Sequence, residues 1–193
     1  RPHSPSYASP TAMPPGTVLR ARAFAPHAVP SACAVLTTRL PRNAMALAVA
    51  PEDLHGPHGI ADTTAANYAR KGHAWQRDAW VQWGAAPSAR TGIAIAGSGS
   101  RSLPKKNFKL MARDRFGSDG PITLPDRGIW TEVTLRADAT PNAFLRNLFM
   151  AEVARRSGGN VDVQPAMAVP LYLNGQYQGL YRAMPAKGKE WVE

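Results

Sequence analysis

Four cations crowd one glycine turn in this chain. Residues 91–110 read T-G-I-A-I-A-G-S-G-S-R-S-L-P-K-K-N-F-K-L, placing Gly97-Ser98-Gly99-Ser100 between two apolar runs and following it with Arg101, Lys105, Lys106 and Lys109. A glycine turn between two strands can aim successive backbone N–H groups at an anion. Cationic side chains beside such a turn suit a phosphate. Composition alone leaves the plainer alternative open, an ordinary glycine hairpin with lysines on a solvated face. Alternation separates the lysines: Lys106 shares its parity with Phe108 and Leu110, whereas Lys105 and Lys109 share theirs with Asn107. If Phe108 and Leu110 face a core, so does Lys106, and an inward ammonium needs an acid or a ligand phosphate because its unpaired burial is costly.

The elements that must position these groups follow from patterning. Gly92 to Ala96 reads as one strand and Asn107 to Ala112 as its return. Thr140 is a candidate N-cap with Pro141 at the first helical position. Phe144, Leu145, Leu148, Phe149 and Val153 then recur at three- and four-residue spacing, so a helix with an apolar stripe is expected over about 141–156. Arg155 and Arg156 suit its C-terminal dipole, and Ser157-Gly158-Gly159 ends it. Glu152 lies at the stripe's edge, either snorkelling at the rim or paired with Lys106, as a strand lysine and a helix glutamate pair in protein kinases. Downstream, Asn174-Gly175 between Val169–Leu173 and Gln176–Met184 is a strong hairpin signal. Tyr172, Tyr177 and Tyr181 crowd that hairpin, as packing groups or as ligand contacts.

Upstream, residues 1–16 are turn-rich, and Thr17 to Phe24 and Ala32 to Leu40 read as two strands. Two strands alone are too few to fold well. Ala44 to Ala50 is an apolar strand candidate. In H-A-W-Q-R-D-A-W-V-Q-W-G (73–84), Trp75, Arg77, Ala79, Val81 and Trp83 alternate with Gln76, Asp78, Trp80 and Gln82. A sheet core with a half-exposed Trp80 accounts for this; a sugar-binding or base-stacking tryptophan platform is the alternative.

Composition bounds the rest. The 193 residues carry 23 Lys and Arg against 13 Asp and Glu, a formal charge of +10, with 16 Gly, 18 Pro and enough apolar side chains for a core. No apolar run approaches the ~18 residues of a membrane helix. The single Cys33 excludes a disulfide framework and a cysteine-based zinc site within the chain. His3, His27, His55, His58 and His73 lack metal-ligand spacing. The cations are spread along the chain without a basic helical stripe, so nucleic acid is not expected as a partner. Acidic partners or phosphate ligands are.

Two resemblances join these pieces. S-P-S-Y-A-S-P-T-A-M-P-P-G-T-V-L-R-A-R-A-F (4–24) with Pro30-Ser31 and the following strand resembles the end of the small C-terminal domain of chitobiases and hexosaminidases, through Ser4, Tyr7, Thr17, Arg20, Ala21, Ala23, Phe24, Pro30 and Ser31. It implies a partial immunoglobulin-like β-sandwich without catalytic residues over 1–40. Residues 45–184 resemble the CotH family, the spore-coat-protein-H kinases, in five blocks: D-L-H-G-P-H-G-I, G-H-A-W-Q-R-D-A-W-V-Q-W, G-I-A-I-A-G-S-G-S-R-S-L-P-K-K-N-F-K-L-M-A-R-D-R-F-G, F-L-R-N-L-F-M-A-E-V-A-R-R-S-G and L-Y-L-N-G-Q-Y-Q-G-L-Y-R-A-M.

That resemblance implies an α+β fold, the mostly β N-lobe of a kinase-like domain over 41–193 with one main helix. It further implies a secreted or cell-surface protein kinase using ATP with Mg or Mn to phosphorylate Ser or Thr on extracellular or coat proteins. Gly97, Gly99, Arg101, Lys105, Lys106, Glu152 and Tyr181 would then be nucleotide-binding. The family's catalytic and metal-binding aspartates follow the Asn-Gly hairpin, so this chain is expected to be a fragment, inactive alone and without metal ligands of its own. Departures from the family pattern fall at Ala94-Ile95-Ala96-Gly97, where one Arg is absent, at Asn147 in place of Asp, and at Pro185 in place of Glu, with Glu190 five further on. They favour a rival reading as a non-catalytic pseudokinase or adhesion module.

Overall fold

A computed structural model describes residues 6, 8–10, 12–139, 145–158 and 162–188. Ser4, Tyr7, Thr140, Pro141, Phe144, Gly159 and Glu190, singled out by the sequence, lie outside the described residues.

Seven strands close on themselves as a barrel: β3 (Met45–Val49), β4 (Arg77–Trp83), β5 (Ala89–Ile95), β6 (Phe108–Met111), β9 (Glu132–Arg136), β10 (Met167–Leu173) and β11 (Gln176–Pro185). Around the barrel the order is β10-β11-β9-β6-β5-β4-β3, and closure comes from the parallel pairing of β3 with β10, Met45 opposite Leu171. All other barrel pairs are antiparallel. Closure removes exposed sheet edges. The period-two inward residues fill the interior: Leu47, Val81, Ile93, Leu110, Val133, Leu135, Leu171 and Ala183 are buried. The fold is therefore α+β and mostly β, with the Asn-Gly hairpin where the sequence puts it: Asn174 (φ +49°) and Gly175 (φ +82°) adopt the left-handed backbone that a tight hairpin turn requires.

The expected strands shrink or shift at their ends. Trp75 belongs to a short 3-10 turn (His73–Trp75) ahead of β4, under the guanidinium of Arg70 at 4.9 Å. Trp80 is half-buried on the outer wall between Arg20 and Arg90, whose guanidinium carbons lie 5.5 and 5.9 Å from its ring. The stretch between Arg113 and Ala139 carried no expectation, yet it supplies a small hairpin, β7 (Ile122–Leu124) with β8 (Gly128–Trp130), and the barrel strand β9.

The first forty residues form a two-stranded sheet, β1 (Val18–Ala21) with β2 (Ala34–Thr37). It lies against the outer face of β3 and β4, which explains why β3 is buried on both faces. Gln82, outward on β4 and only 4% exposed, fastens it. Its Oε1 accepts from Thr37 N at 2.7 Å, and its Nε2 donates to Thr37 O at 3.2 Å and Gly84 O at 2.9 Å. The Ser88 hydroxyl also donates to Val35 O. At the far end, a Cβ on Gly175 would stand 1.9 Å from Gly16 O, so only glycine permits that approach.

A one-turn helix, α1 (Pro51–Leu54), follows β3. The main helix α2 spans Arg146–Arg156, and none of its residues is fully buried. The expected apolar stripe is not a buried face: Leu145, Phe149 and Val153 are exposed. The half-buried positions are Leu148, Ala151, Glu152 and Ala154, at helical spacing on another side. Leu145 and Leu148 line a cleft with Arg136, Ala137, Asp138, Ala139 and Leu180, and Asn147 Nδ2 donates to Asp138 Oδ1 at 3.3 Å.

Candidate functional site

Gly97 (φ +92°) opens the turn after β5, and its missing Cβ makes room for Ser100, whose Oγ would stand 2.4 Å from a β-carbon there. The turn is stitched to itself. Arg101 N donates to Ser98 O at 3.1 Å, Leu103 N to Ser100 O at 3.3 Å, and Asn107 Nδ2 to Ser100 Oγ at 2.8 Å. Asn107 Oδ1 in turn accepts from Ala137 N at 2.7 Å, anchoring the turn to the end of β9. Gly99 sits in the 3-10 turn Gly99–Ser102, with open space around its α-carbon.

Arg101 faces inward, 8% exposed. Its Nε donates to Tyr68 O at 2.7 Å, and its two terminal nitrogens donate to Ile95 O and Arg70 O. The guanidinium thus staples the 67–70 turn to the end of β5, and burial lowers its pKa. Lys106 is buried, and so is Asn107 of the opposite parity; both precede β6. Its ammonium donates to Arg101 O at 2.8 Å and lies 4.4 Å from the centroid of Tyr68. Burial, then the Arg101 charge, lowers its pKa.

The Lys106–Glu152 ion pair is not formed. Glu152 instead accepts from Arg155 Nε at 2.9 Å and Nη2 at 2.6 Å and from Arg156 Nε at 2.5 Å, all on its own helix. Arginines three and four residues on reach the carboxylate without bringing a second element to it. Bonds from Arg155 and then Arg156 hold its pKa down, at about 2.

Lys105, half-buried, donates to Leu180 O at 2.7 Å, and its ammonium lies 4.5 Å from the ring centroid of Tyr181. Gly179 (φ +86°) keeps that path open, since a Cβ there would come within 3.3 Å of the lysine Nζ. Burial lowers the pKa of Lys105, and the Asp138 charge partly restores it. Tyr181 is buried, donates its hydroxyl to Lys106 O at 3.0 Å and has its pKa raised by that burial.

These residues line three clefts, one of which, about 410 Å³ beside α2, is lined by Lys105, Arg136 and Tyr181 with Asp138 and Arg182. The first, about 640 Å³, lies on the outer face of β5, β6, β9 and β11. Its walls include Ala94, Gly97, Arg101, Lys109, Thr134, Arg136 and Met184, with Arg70, Lys71, Trp75 and Lys187 around them. Lys109 is bound to Glu132 at 2.5 Å; burial opposes ionisation of Glu132, but Lys109 and Arg113 outweigh it and lower its pKa. The second cleft, about 700 Å³, lies at the end of the barrel between the loop after α1, the Lys105-Lys106 pair and the β10–β11 turn. It contains Lys105, Lys106 and Tyr181 and shares no lining residue with the first. Gly97 and Arg101 line the first cleft, Gly99 neither, and Glu152 stands apart on α2. Arg136 and Thr134 were missed. Their signal is the alternation V-T-L-R, which sends Val133 and Leu135 inward and Thr134 and Arg136 outward. Among the described residues, no group of three His, Cys, Asp or Glu side chains could hold a metal ion. No helix of the described chain is long and apolar enough to cross a membrane.

Fold and clefts define an α+β, mostly β barrel protein with a cation-lined groove beside a glycine turn. The sequence model of the family described as CotH kinase protein matches residues 93–190, just over half of the chain, and the chain belongs to that family. The match begins within β5; the blocks at 53–60 and 72–83 and the residues that resemble a chitobiase-type module precede it. No curated protein matches the chain.

Proposed function

We propose that this chain is the nucleotide-holding part of a secreted or cell-surface CotH kinase that phosphorylates Ser or Thr on an extracellular or coat protein. The nucleotide, ATP with Mg or Mn, would lie in the first cleft. One observation carries the reading: the first cleft is lined by Gly97 of the turn after β5, by Lys109 of β6 and by Arg136 of β9, and α2 is the helix that follows β9 in the chain. Protein kinases put a glycine loop over the phosphates, a phosphate-binding cation on a later strand, and its acidic partner on the helix that follows. By this order Arg136 is the phosphate-binding cation, and Glu152 is its counterpart on the helix. Gly97 keeps backbone close to the phosphates, Lys109 adds charge, and Trp75, Ile95 and Met184 give the base an apolar wall. When bound, ATP supplies the phosphoryl group. Arg101 positions the rim, through the carbonyls of Tyr68 and Arg70, without itself contacting phosphate. The metal is not assigned to any described residue. The β1–β2 sheet is read as the end of a chitobiase-type module that here braces the barrel.

A second reading, a non-catalytic surface module, is favoured by one observation: Glu152 is satisfied by its own helix and does not engage a strand cation. Binding of a fluorescent ATP analogue with Mg or Mn, to the chain and to Arg136→Ala, separates the two. Micromolar binding weakened at least tenfold in the variant supports the kinase reading. Absence of binding to a folded wild-type chain moves the conclusion to the surface module.

A further inference from the structure

The second cleft carries a chemistry that the nucleotide reading does not use. Its wall holds two adjacent lysines, one of them more than nine-tenths buried, and among the described residues neither has a salt-bridge partner. Lys106 bonds to one backbone carbonyl and lies over Tyr68; Lys105 bonds to the carbonyls of Leu180 and Ala137 and lies over Tyr181. An ammonium has three donors, and a carbonyl with an aromatic face replaces only part of its lost hydration. Asp138 lies near enough to act on Lys105, but its carboxylate is bound to Arg182 at 2.8 and 3.0 Å. The cleft's own carboxylate, Asp62, accepts from Ala65 N at 2.7 Å in its own turn. A buried Lys106 beside a half-buried Lys105, with no salt bridge to either among the described residues, costs stability that apolar residues of the same shape would not. Such costs concentrate where a ligand recovers them.

The remaining wall is suited to a polar ligand: Thr63, Asn174, Gln176 and Gln178 bring a hydroxyl and three amides from two separate segments. The volume of about 700 Å³ lies in the range of small-molecule sites. We propose that this second cleft binds a small oxyanion-bearing molecule of about sugar size, a carboxylate or a phosphate, held by Lys105 and Lys106 and separate from the nucleotide. The anion replaces hydration that the lysines lose on folding, while the amides and Thr63 address the ligand's polar body.

The experiment is titration of the 193-residue chain at low ionic strength, by calorimetry, with glucose 6-phosphate, glucuronate, uncharged glucose and matched sodium chloride. Binding of either anion, with glucose and chloride silent, is the expected result; which anion binds tells phosphate from carboxylate. Lys105→Gln with Lys106→Met should weaken binding at least tenfold, and Arg136→Ala should leave it unchanged. Gln178→Glu, at the cleft's edge and outside the core, should also weaken it by offering the lysines a resident carboxylate, so the test survives if the lysine variant fails to fold. Anion binding that persists in both second-cleft variants overturns the proposal. So does binding lost in Arg136→Ala, which would place the anion in the first cleft or in the smaller one that Arg136 shares with Lys105, and so does silence of both anions at millimolar concentration. Failure of the nucleotide reading is seen independently, as ATP analogue binding absent while sugar-anion binding stands.

Discussion

Arg101 is the residue on which the sequence pattern and the three-dimensional structure disagree most usefully. Beside a glycine turn it looks like a phosphate ligand; in the fold its guanidinium is spent on the carbonyls of Tyr68, Ile95 and Arg70. Replacing it by alanine removes three charge-assisted bonds, each contributing roughly 1.5 kcal/mol or more, while the guanidinium's desolvation cost is recovered and water reaches two of the three carbonyls. The net loss for Arg101→Ala should be about 3 kcal/mol. Arg101→Lys should recover little of it, because a single ammonium cannot span three carbonyls that a planar fork reaches together. Urea denaturation followed by tryptophan fluorescence measures the loss, with Trp75 close to the affected turn. Nucleotide binding read beside it provides the contrast. A phosphate ligand would leave the midpoint within about 0.5 kcal/mol of wild type, as ordinary surface changes do, and would lower affinity directly. If Arg101→Ala unfolds like wild type and binds nucleotide poorly, the staple is wrong and Arg101 belongs to the site.

Three further outcomes follow from the packing. Gln82→Ala should cost about 2–3 kcal/mol, at roughly 1 kcal/mol for each of its three bonds, and should make the β1–β2 sheet the first point of proteolytic cleavage; unchanged digestion would show that the sheet is held otherwise. Gly92→Ala would bring a Cβ to 2.1 Å from the Phe116 ring, an overpacking worth about 2 kcal/mol, and Phe116→Leu should restore part of it in the double variant. Burial opposes ionisation of Asp138, but Arg182 and then Asn147 outweigh it, so its pKa lies below the ordinary carboxylate value. The Asp138 contribution is therefore complete above about pH 4 and is lost as pH falls through the lowered pKa. Urea midpoints measured between pH 5 and pH 2 should fall more steeply in wild type than in Asp138→Asn, and parallel curves would refute a stabilising Asp138–Arg182 pair.

Much of the barrel was legible because its signals are local. Alternation marked β5 and β6, and Asn174-Gly175 marked the β10–β11 hairpin; Lys106 is buried as expected, but so is Asn107 of the opposite parity, because both lie ahead of β6. The glycine turn itself was legible, but its hydrogen-bond state was not: whether its N–H groups face an anion or its own carbonyls depends on Ser100 and Asn107 meeting across the turn. Glu152 shows the same limit. Its distance from Lys106 is a matter of where α2 lies, whereas Arg155 and Arg156 are near it in any helix.

The sequence by itself determined the mostly β character, the strand faces and the choice of Lys106 as an inward cation, because side-chain period and turn chemistry act over a few residues. Tertiary structure alone decided the rest. Closure rests on Met45 meeting Leu171 across more than a hundred residues, and that pairing sets which loops share an end of the barrel. It puts Lys105 and Lys106 with the 54–63 loop and the Asn-Gly turn, and it leaves Gly97, Lys109 and Arg136 together on the outer wall. Lys106 and Lys109, three residues apart, were thereby parted into two clefts, since Lys109 points to the outer face of β6 whereas Lys106 precedes the strand at the end of the barrel.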